Sequence, residues 1–159
     1  MVELKIALKS DGEVLTNVQI RTFTDDNKFK PPGSNMEGPP GFDSLDWNLR
    51  KIQNTPYYKI LEYGRIVGGL LLFDIGDGCF EVGRIWIDPE VQDRGIGQEA
   101  MRLMFVMHPD VNKWILGTPS WAKRNQHFYE KIGFKKVGET DLDPELGWSG
   151  IEYELVIKG

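Results

Sequence analysis

The run VQDRGIGQEA, residues 91–100, carries the spacing best suited to chemistry. Gly95 and Gly97 stand two apart behind Arg94. An apolar stretch ending at Asp88-Pro89 precedes them, and an apolar helical pattern follows. A helix opening here leaves its first N–H groups without intrahelical partners, and its dipole adds partial positive charge. Glycine lets an anion approach the backbone closely, so the loop reads as a phosphate site. Without a ligand it reads as a tight strand-to-helix turn. Two other phosphate motifs fit poorly. A P-loop ends in Gly-Lys-Ser/Thr, whereas Gln98 and Glu99 follow Gly97. A dinucleotide fingerprint needs a third glycine and a βαβ unit. Position 100 is Ala100, which some such sites accept, but the segments upstream read as antiparallel hairpins. His108 and His127 show no metal-ligand spacing with acids or with Cys79, so no metal is expected. His108 ends a helix, where a cation is favoured. His127 stands two residues from Tyr129 and so falls on a different helix face.

These residues need elements to hold them. Residues 4–8 alternate as a first strand, and Asp11 is placed to cap a helix reaching about residue 20, with Val14, Leu15 and Val18 on its apolar side. Residues 22–41 form a long loop rich in Pro and Gly, a length that in a compact domain points to function or disorder. A second helix is predicted over 42–52. Residues 57–63 and 65–74 form a hairpin turned at Tyr63-Gly64, and DIGDG turns the chain into a strand over 79–87. The helix after Gly97 carries Ala100, Leu103, Met104 and Met107 and stops at Pro109. A short strand covers 113–117. Thr118-Pro119 reads as an N-cap with Pro at the first helical position, opening a helix that ends at Gly133. Strands over 134–138 and 151–157 complete an α+β or mixed-sheet α/β domain.

The chain has 159 residues, enough for one domain with a real core. Its net charge of −5 argues against a nucleic-acid binder, which needs a cationic face. The longest apolar runs are too short to span a bilayer, and the first ten residues do not read as a signal peptide. A single cysteine, Cys79, excludes an internal disulfide and suits a reducing cytoplasm. It reads as a small buried hydrophobe.

Gln92 to Gly97 in the pattern Q-x-x-G-x-G, after a strand and before a helix, resembles the acetyl-CoA pyrophosphate loop of the GNAT acyltransferase superfamily. IWIDPEVQDRGIG over 85–97 is similar to that family's strand-to-loop pattern, Gly64-Arg-Ile-Val-Gly68 to its preceding hairpin, and FYEKIGF over 128–134 to its second hallmark. The resemblance covers residues 57–139. It implies one acyltransferase domain over 1–159, with a mixed, mostly antiparallel twisted sheet of about seven strands flanked by about four helices. It also implies acetyl transfer from acetyl-CoA to a primary amine, on a small molecule or an amino terminus, by direct transfer in a ternary complex. The alternative on the same fold is a CoA-binding sensor that transfers nothing. A homodimer is a family-level expectation.

Site residues follow from the same resemblance. The backbone from Arg94 through Gly95, Ile96 and Gly97 to Gln98 would hold the diphosphate while Gln92 sets the turn. Backbone N–H groups of Ile85, Trp86 and Ile87 would face the thioester carbonyl, and Phe128 would flank the cofactor. Tyr129 would be the acid that protonates the CoA sulfur, its phenol protonated at neutral pH with a pKa of about 10. Apart from the resemblance, it reads as a core aromatic beside Trp121, Phe128 and Ile132. Glu81 would be the base, since some members carry a Glu there; its plain reading is a strand-face carboxylate. Gly83 inside the same strand marks a bulge that would splay it from the strand over 113–117. The family's usual Asn, seven residues before the Tyr, is Ala122 here, and Asn125 one turn later is the substitute expected to reach the cofactor. The amine would enter between residues 22–47 and 140–148. These carry Asp25, Asp26, Glu37, Asp141, Asp143 and Glu145, with Trp47 and Trp148 as walls, and favour a cationic acceptor.

Overall fold

The computed structural model describes residues 1–157. Seven strands form one sheet: β1 (Val2–Ile6), β2 (Tyr57–Glu62), β3 (Arg65–Gly76), β4 (Cys79–Ile87), β5 (Lys113–Pro119), β6 (Lys135–Glu139) and β7 (Gly150–Val156). Their order is β1-β2-β3-β4-β5-β7-β6. All neighbours run antiparallel except β4 and β5. Four helices flank it: α1 (Gly12–Asp25), α2 (Leu45–Asn54), α3 (Ile96–Met107) and α4 (Lys123–Ile132). This is the expected mixed, mostly antiparallel architecture. The expected strand over 151–157 lies in β7 and the residue after it. Residues 158 and 159 of the expected single domain lie outside the described residues.

Local chemistry explains the hairpins. Tyr63 and Gly64 both take left-handed backbone angles, φ 51° and 77°, the pair a two-residue hairpin turn requires. Asp77 and Gly78 do the same between β3 and β4. Alternation along the strands then fills two cores. Tyr57, Leu71 and Trp86 face α1 with Leu15 and Val18. Tyr58, Leu70 and Leu72 face α3 with Ala100, Met101 and Met104.

Several boundaries differ from the sequence expectations. β1 begins at Val2 and ends at Ile6, because its ladder with β2 is fixed by Val2 opposite Glu62 and Ile6 opposite Tyr58. Asp11 does not cap α1 with its side chain. Its backbone is already helical, and its carboxylate accepts from the Leu8 N–H at 2.8 Å and from Lys59 Nζ at 2.9 Å. α1 continues to Asp25, since its inner face carries polar residues with buried partners. Gln19 bonds Asn48 at 2.6 Å, and the Thr22 hydroxyl bonds the Ile87 carbonyl at 3.1 Å. α2 starts at Leu45, where Ser44 accepts from the Trp47 N–H; Phe42 instead packs edge-on against Phe23. Thr118-Pro119 ends a strand and does not open a helix: both residues pair with β7, opposite Ile151 and Gly150. α4 begins at Lys123.

One irregularity sets up the site. β4 and β5 pair over Cys79, Phe80 and Glu81 only, opposite Lys113, Trp114 and Ile115. The register with β3 jumps from Leu72–Val82 to Leu71–Arg84, leaving Gly83 as a bulge. A Cβ there would sit 2.4 Å from Phe73. Beyond the bulge β4 runs on to Ile87 while β5 turns to β7, so the sheet opens between them.

Candidate active site

The open edge of β4 carries backbone groups that no strand pairs. The Asp88 N–H bonds the Val67 carbonyl at 2.7 Å, so the even residues of this stretch turn their backbone towards β3. Ile85 and Ile87 therefore present theirs to the gap, whereas the Trp86 N–H, expected to face it as well, turns to β3 opposite Gly69. The Ile87 carbonyl is bound by Thr22 and by Gln92 Nε2 at 3.0 Å. Gln92 thus ties the loop back to the strand end. A 3₁₀ turn at Pro89–Val91 and two left-handed residues, Asp93 and Gly95 (φ 65° and 77°), bring the chain into α3. The Glu99 N–H bonds the Gly95 carbonyl at 3.1 Å, so the N–H groups of Ile96, Gly97 and Gln98 precede the helical ladder. A Cβ on Gly97 would come within 3.2 Å of the Phe128 ring, so glycine lets loop and α4 close up.

Gap and loop open into one cavity of about 740 Å³ between β4, the start of α3, α4 and the end of α1. Ile85, Trp86, Ile87, Gln92, Gly95, Ile96, Gly97, Gln98, Asn125, Phe128 and Tyr129 all line it. Tyr129 packs on Phe128, Phe134 and Tyr153. Burial, and next the Asp26 charge, raise its pKa above the ordinary phenol value, so it keeps its proton. Asp26, at the start of a 3₁₀ turn over Asp26–Phe29, lines the cavity as well. Burial and then neighbouring Asp25 push its carboxyl up to about 6.

One expected catalytic side chain does not reach the site. Glu81 does not line the cavity: it sits on the near side of the Gly83 bulge, where β4 and β5 still pair, opposite Phe73 and Ile115. The Arg94 side chain also turns away, 3.6 Å from Glu62, and only its backbone belongs to the loop. The cation that faces the loop is Arg124, which reaches Asp93 at 3.1 Å and Gln92 at 3.4 Å. Lys123 and Lys131 line the cavity with it. The sequence hides Lys123 and Arg124: with the helix expected to open at Pro119 they fall past its first turn, whereas α4 opens at Lys123 and puts both in the first turn, where the dipole disfavours cations unless an anion sits nearby.

The walls expected on the acceptor side also differ. Trp47 packs under Arg84 and Gly41, and Trp148 stacks edge-on against Trp121 at 5.7 Å. Trp121, Phe23 and Phe29 line the cavity in their place. Of the loop acids, Asp26 alone lines it; Asp143 bonds the N–H groups of Glu145 and Leu146 and builds its own turn. His127 lines the cavity, two residues from Tyr129. His108 lies elsewhere, bonded to the Tyr58 hydroxyl at 2.8 Å and packed on Phe80 and Trp114. Burial lowers its pKa, which outweighs the helix-end preference for a cation. Cys79 is half-buried at the start of β4.

Comparison with known proteins follows the same outline. No curated protein matches this sequence. Solved structures match it over nearly the whole chain at low identity, and so share its fold. The PaiA N-acetyltransferase of Thermoplasma acidophilum, in complex with coenzyme A, is 17% identical with a TM-score of 0.81, over 98% of this chain and 99% of that one. YncA of Salmonella typhimurium, with its cofactor acetyl-CoA, is 14% identical with a TM-score of 0.72, over 100% and 95%. The ribosomal-protein-alanine N-acetyltransferase of Brucella melitensis is 12% identical with a TM-score of 0.73, over 98% and 99%. The model of the acetyltransferase (GNAT) family matches residues 20–134, which span both the glycine loop and α4, and the chain belongs to that family.

Proposed function

We propose that this protein is an N-acetyltransferase that moves an acetyl group from acetyl-CoA to a primary amine by direct transfer in a ternary complex. The observation that carries this reading is the convergence of three features on one cavity: the unladdered N–H groups of α3, the open edge of β4, and Tyr129. The residues suit acetyl-CoA as co-substrate. Ile96, Gly97 and Gln98 offer N–H donors to a diphosphate at a helix start, where the dipole favours anions. Arg124, Lys123 and Lys131 supply positive charge beside them. Ile85 and Ile87 turn backbone groups towards the gap, where an extended amide-bearing chain would pair as a strand edge does. Asn125, which lines the same wall, is the residue proposed to replace the amide missing at Ala122.

Tyr129 supplies the proton that the departing thiolate needs, and its buried phenol holds that proton at neutral pH. N–H donors on the open β4 edge stabilise negative charge developing on the acetyl oxygen. The acceptor is a small-molecule or peptide amine approaching from the α1 side, and a reducing cytoplasm suits the lone thiol of Cys79. Homodimeric assembly is a further expectation, read by sedimentation velocity. Calorimetry with acetyl-CoA tests the donor site: saturable binding is expected, and none up to millimolar concentration sinks the reading. Thiol release across a panel of amines tests transfer. Tight acetyl-CoA binding with no amine turned over would assign the protein as a sensor instead.

A further inference from the structure

The cavity holds a carboxylate that the reading above leaves without a task. Asp26 shares its walls with Tyr129, Trp121 and Phe29. Every cation that acts on it is engaged elsewhere. Lys28 pairs with Asp25 at 3.1 Å and Arg124 with Asp93 at 3.1 Å, while Lys30 donates to the Glu37 carbonyl at 2.9 Å. Asp26 thus has no ion-pair partner among the described residues, and a half-buried charge without one is costly. An arriving ammonium removes that cost. The same corner already accepts one: Lys30 holds its Nζ over the rings of Trp121 and Trp148, at 5.7 and 5.3 Å. Trp121 therefore serves both the cavity wall and an ammonium cage.

We infer that Asp26 is the acceptor-side carboxylate of the enzyme, binding a primary ammonium and taking its proton. The assignment rests on the acetyl-transfer reading, which it deepens by naming the acceptor class. The proton moves from R–NH₃⁺ to the Asp26 carboxylate, freeing the nitrogen lone pair. Nitrogen then bonds the acetyl carbon, and the carbon–sulfur bond breaks with its electron pair on sulfur. Tyr129 gives its proton to that sulfur and is restored by the surplus proton on the amide nitrogen. One amide, one thiol and one proton, released from Asp26, result. The groups facing Asp26 fit the task. Asp25 on its own turn disfavours its charge, Lys28, Lys30 and Arg124 favour it, and Tyr129 across the cavity stays neutral. With its carboxyl at about 6, Asp26 is mostly ionised at neutral pH yet basic enough to take a proton.

The test is the pH dependence of kcat/KM for a turned-over primary amine, in the full chain and in Asp26→Asn, Asp26→Glu and Asp25→Asn, with acetyl-CoA affinity measured on the same preparations. The parent enzyme should gain rate through pH 6. Asp26→Asn should lose about 10²- to 10⁴-fold and the limb near 6, with acetyl-CoA affinity unchanged. Asp26→Glu should restore part of the rate, and Asp25→Asn should move the limb to lower pH. A parent enzyme that transfers acetyl while Asp26→Asn keeps its rate and limb overturns the Asp26 assignment alone. So does a loss of rate in Asp26→Asn matched by an equal loss of acetyl-CoA affinity. A parent enzyme that turns over no amine overturns the acetyl-transfer reading along with it.

Discussion

Burial favours the neutral form of Tyr129 and of Asp26 alike, with different consequences for the two acids. For the phenol, neutrality at working pH is what an acid needs. For the carboxylate, the shift leaves both forms within reach of neutral pH. Tyr129→Phe should therefore lower kcat by about 10²- to 10³-fold with an unchanged dissociation constant for acetyl-CoA, since only the hydroxyl is removed. An unchanged kcat removes Tyr129 from the chemistry. Asp26 also carries a stability consequence. Its folded pKa of about 6 lies above the ordinary 3.8, so its contribution is most favourable below pH 3.8 and is lost as pH rises through about 6. Asp26→Asn should accordingly melt at a higher temperature than the parent at pH 8, by ~2 kcal/mol in unfolding free energy, with the gain vanishing near pH 4. Equal melting at pH 8 contradicts it.

The elements owe their placement to a few tight contacts. Trp86 lies flat against the backbone of β3: a Cβ on Gly69 would fall 2.2 Å from its indole, and one on Gly68 2.1 Å from its carbonyl oxygen. Gly69→Ala should lower the urea midpoint by the equivalent of about 1–3 kcal/mol, because either the indole or the β3–β4 ladder must shift. A second set of contacts pins the Pro-rich loop. Arg84 donates to Gln19 at 3.0 Å and to the Pro40 carbonyl at 2.9 Å, and stacks over Trp47 at 4.7 Å. Gln19, Asn48 and Tyr57 complete the network beneath it, with both amides fully buried. Arg124 belongs to the α4 end of the site. Its pair with Asp93 is exposed, so Arg124→Ala should leave stability within about 0.5 kcal/mol while weakening acetyl-CoA binding and flattening its salt dependence. Unchanged affinity at low salt would remove Arg124 from the donor site.

Across the whole molecule, opposing carboxylates set where the fold is most stable. Asp88 and Asp11 are lowered: burial works against them, but the bonds from Arg21 and the Glu90 N–H to one, and from Lys59 and the Leu8 N–H to the other, outweigh it. Groups with lowered values stabilise above the unfolded pKa and lose that contribution as pH falls through their folded values. Asp26 has the opposite sign. Thermal unfolding across pH should thus peak on the acid side of neutrality, at about pH 4–6, with the alkaline decline reduced in Asp26→Asn. A peak above pH 7 would contradict the balance. Among the described residues no helix is long and apolar enough to cross a membrane.

Local rules were enough for much of this. Periodicity and turn chemistry act over a few residues, so the two hairpins, the glycine loop and α3 were legible from the chain alone. The Gly83 bulge was legible for the same reason. What remained hidden depends on partners far apart in sequence. α1 reads as ending early because the buried face of its last turns is polar, and Gln19 finds Asn48 and Arg84 only once the chain has folded. Thr118-Pro119 carries a helix-start pattern, but pairing with residues 150 and 151 makes it a strand. Glu81 and Asp26 make the point at the site itself. Both are carboxylates in plausible segments, and sequence cannot rank them. The splay of β4 from β5 begins only beyond the Gly83 bulge, leaving one outside the cavity, while the 3₁₀ turn after α1 places the other on its wall. A carboxylate's proton affinity is set by the water and charge around it, which only the tertiary structure decides.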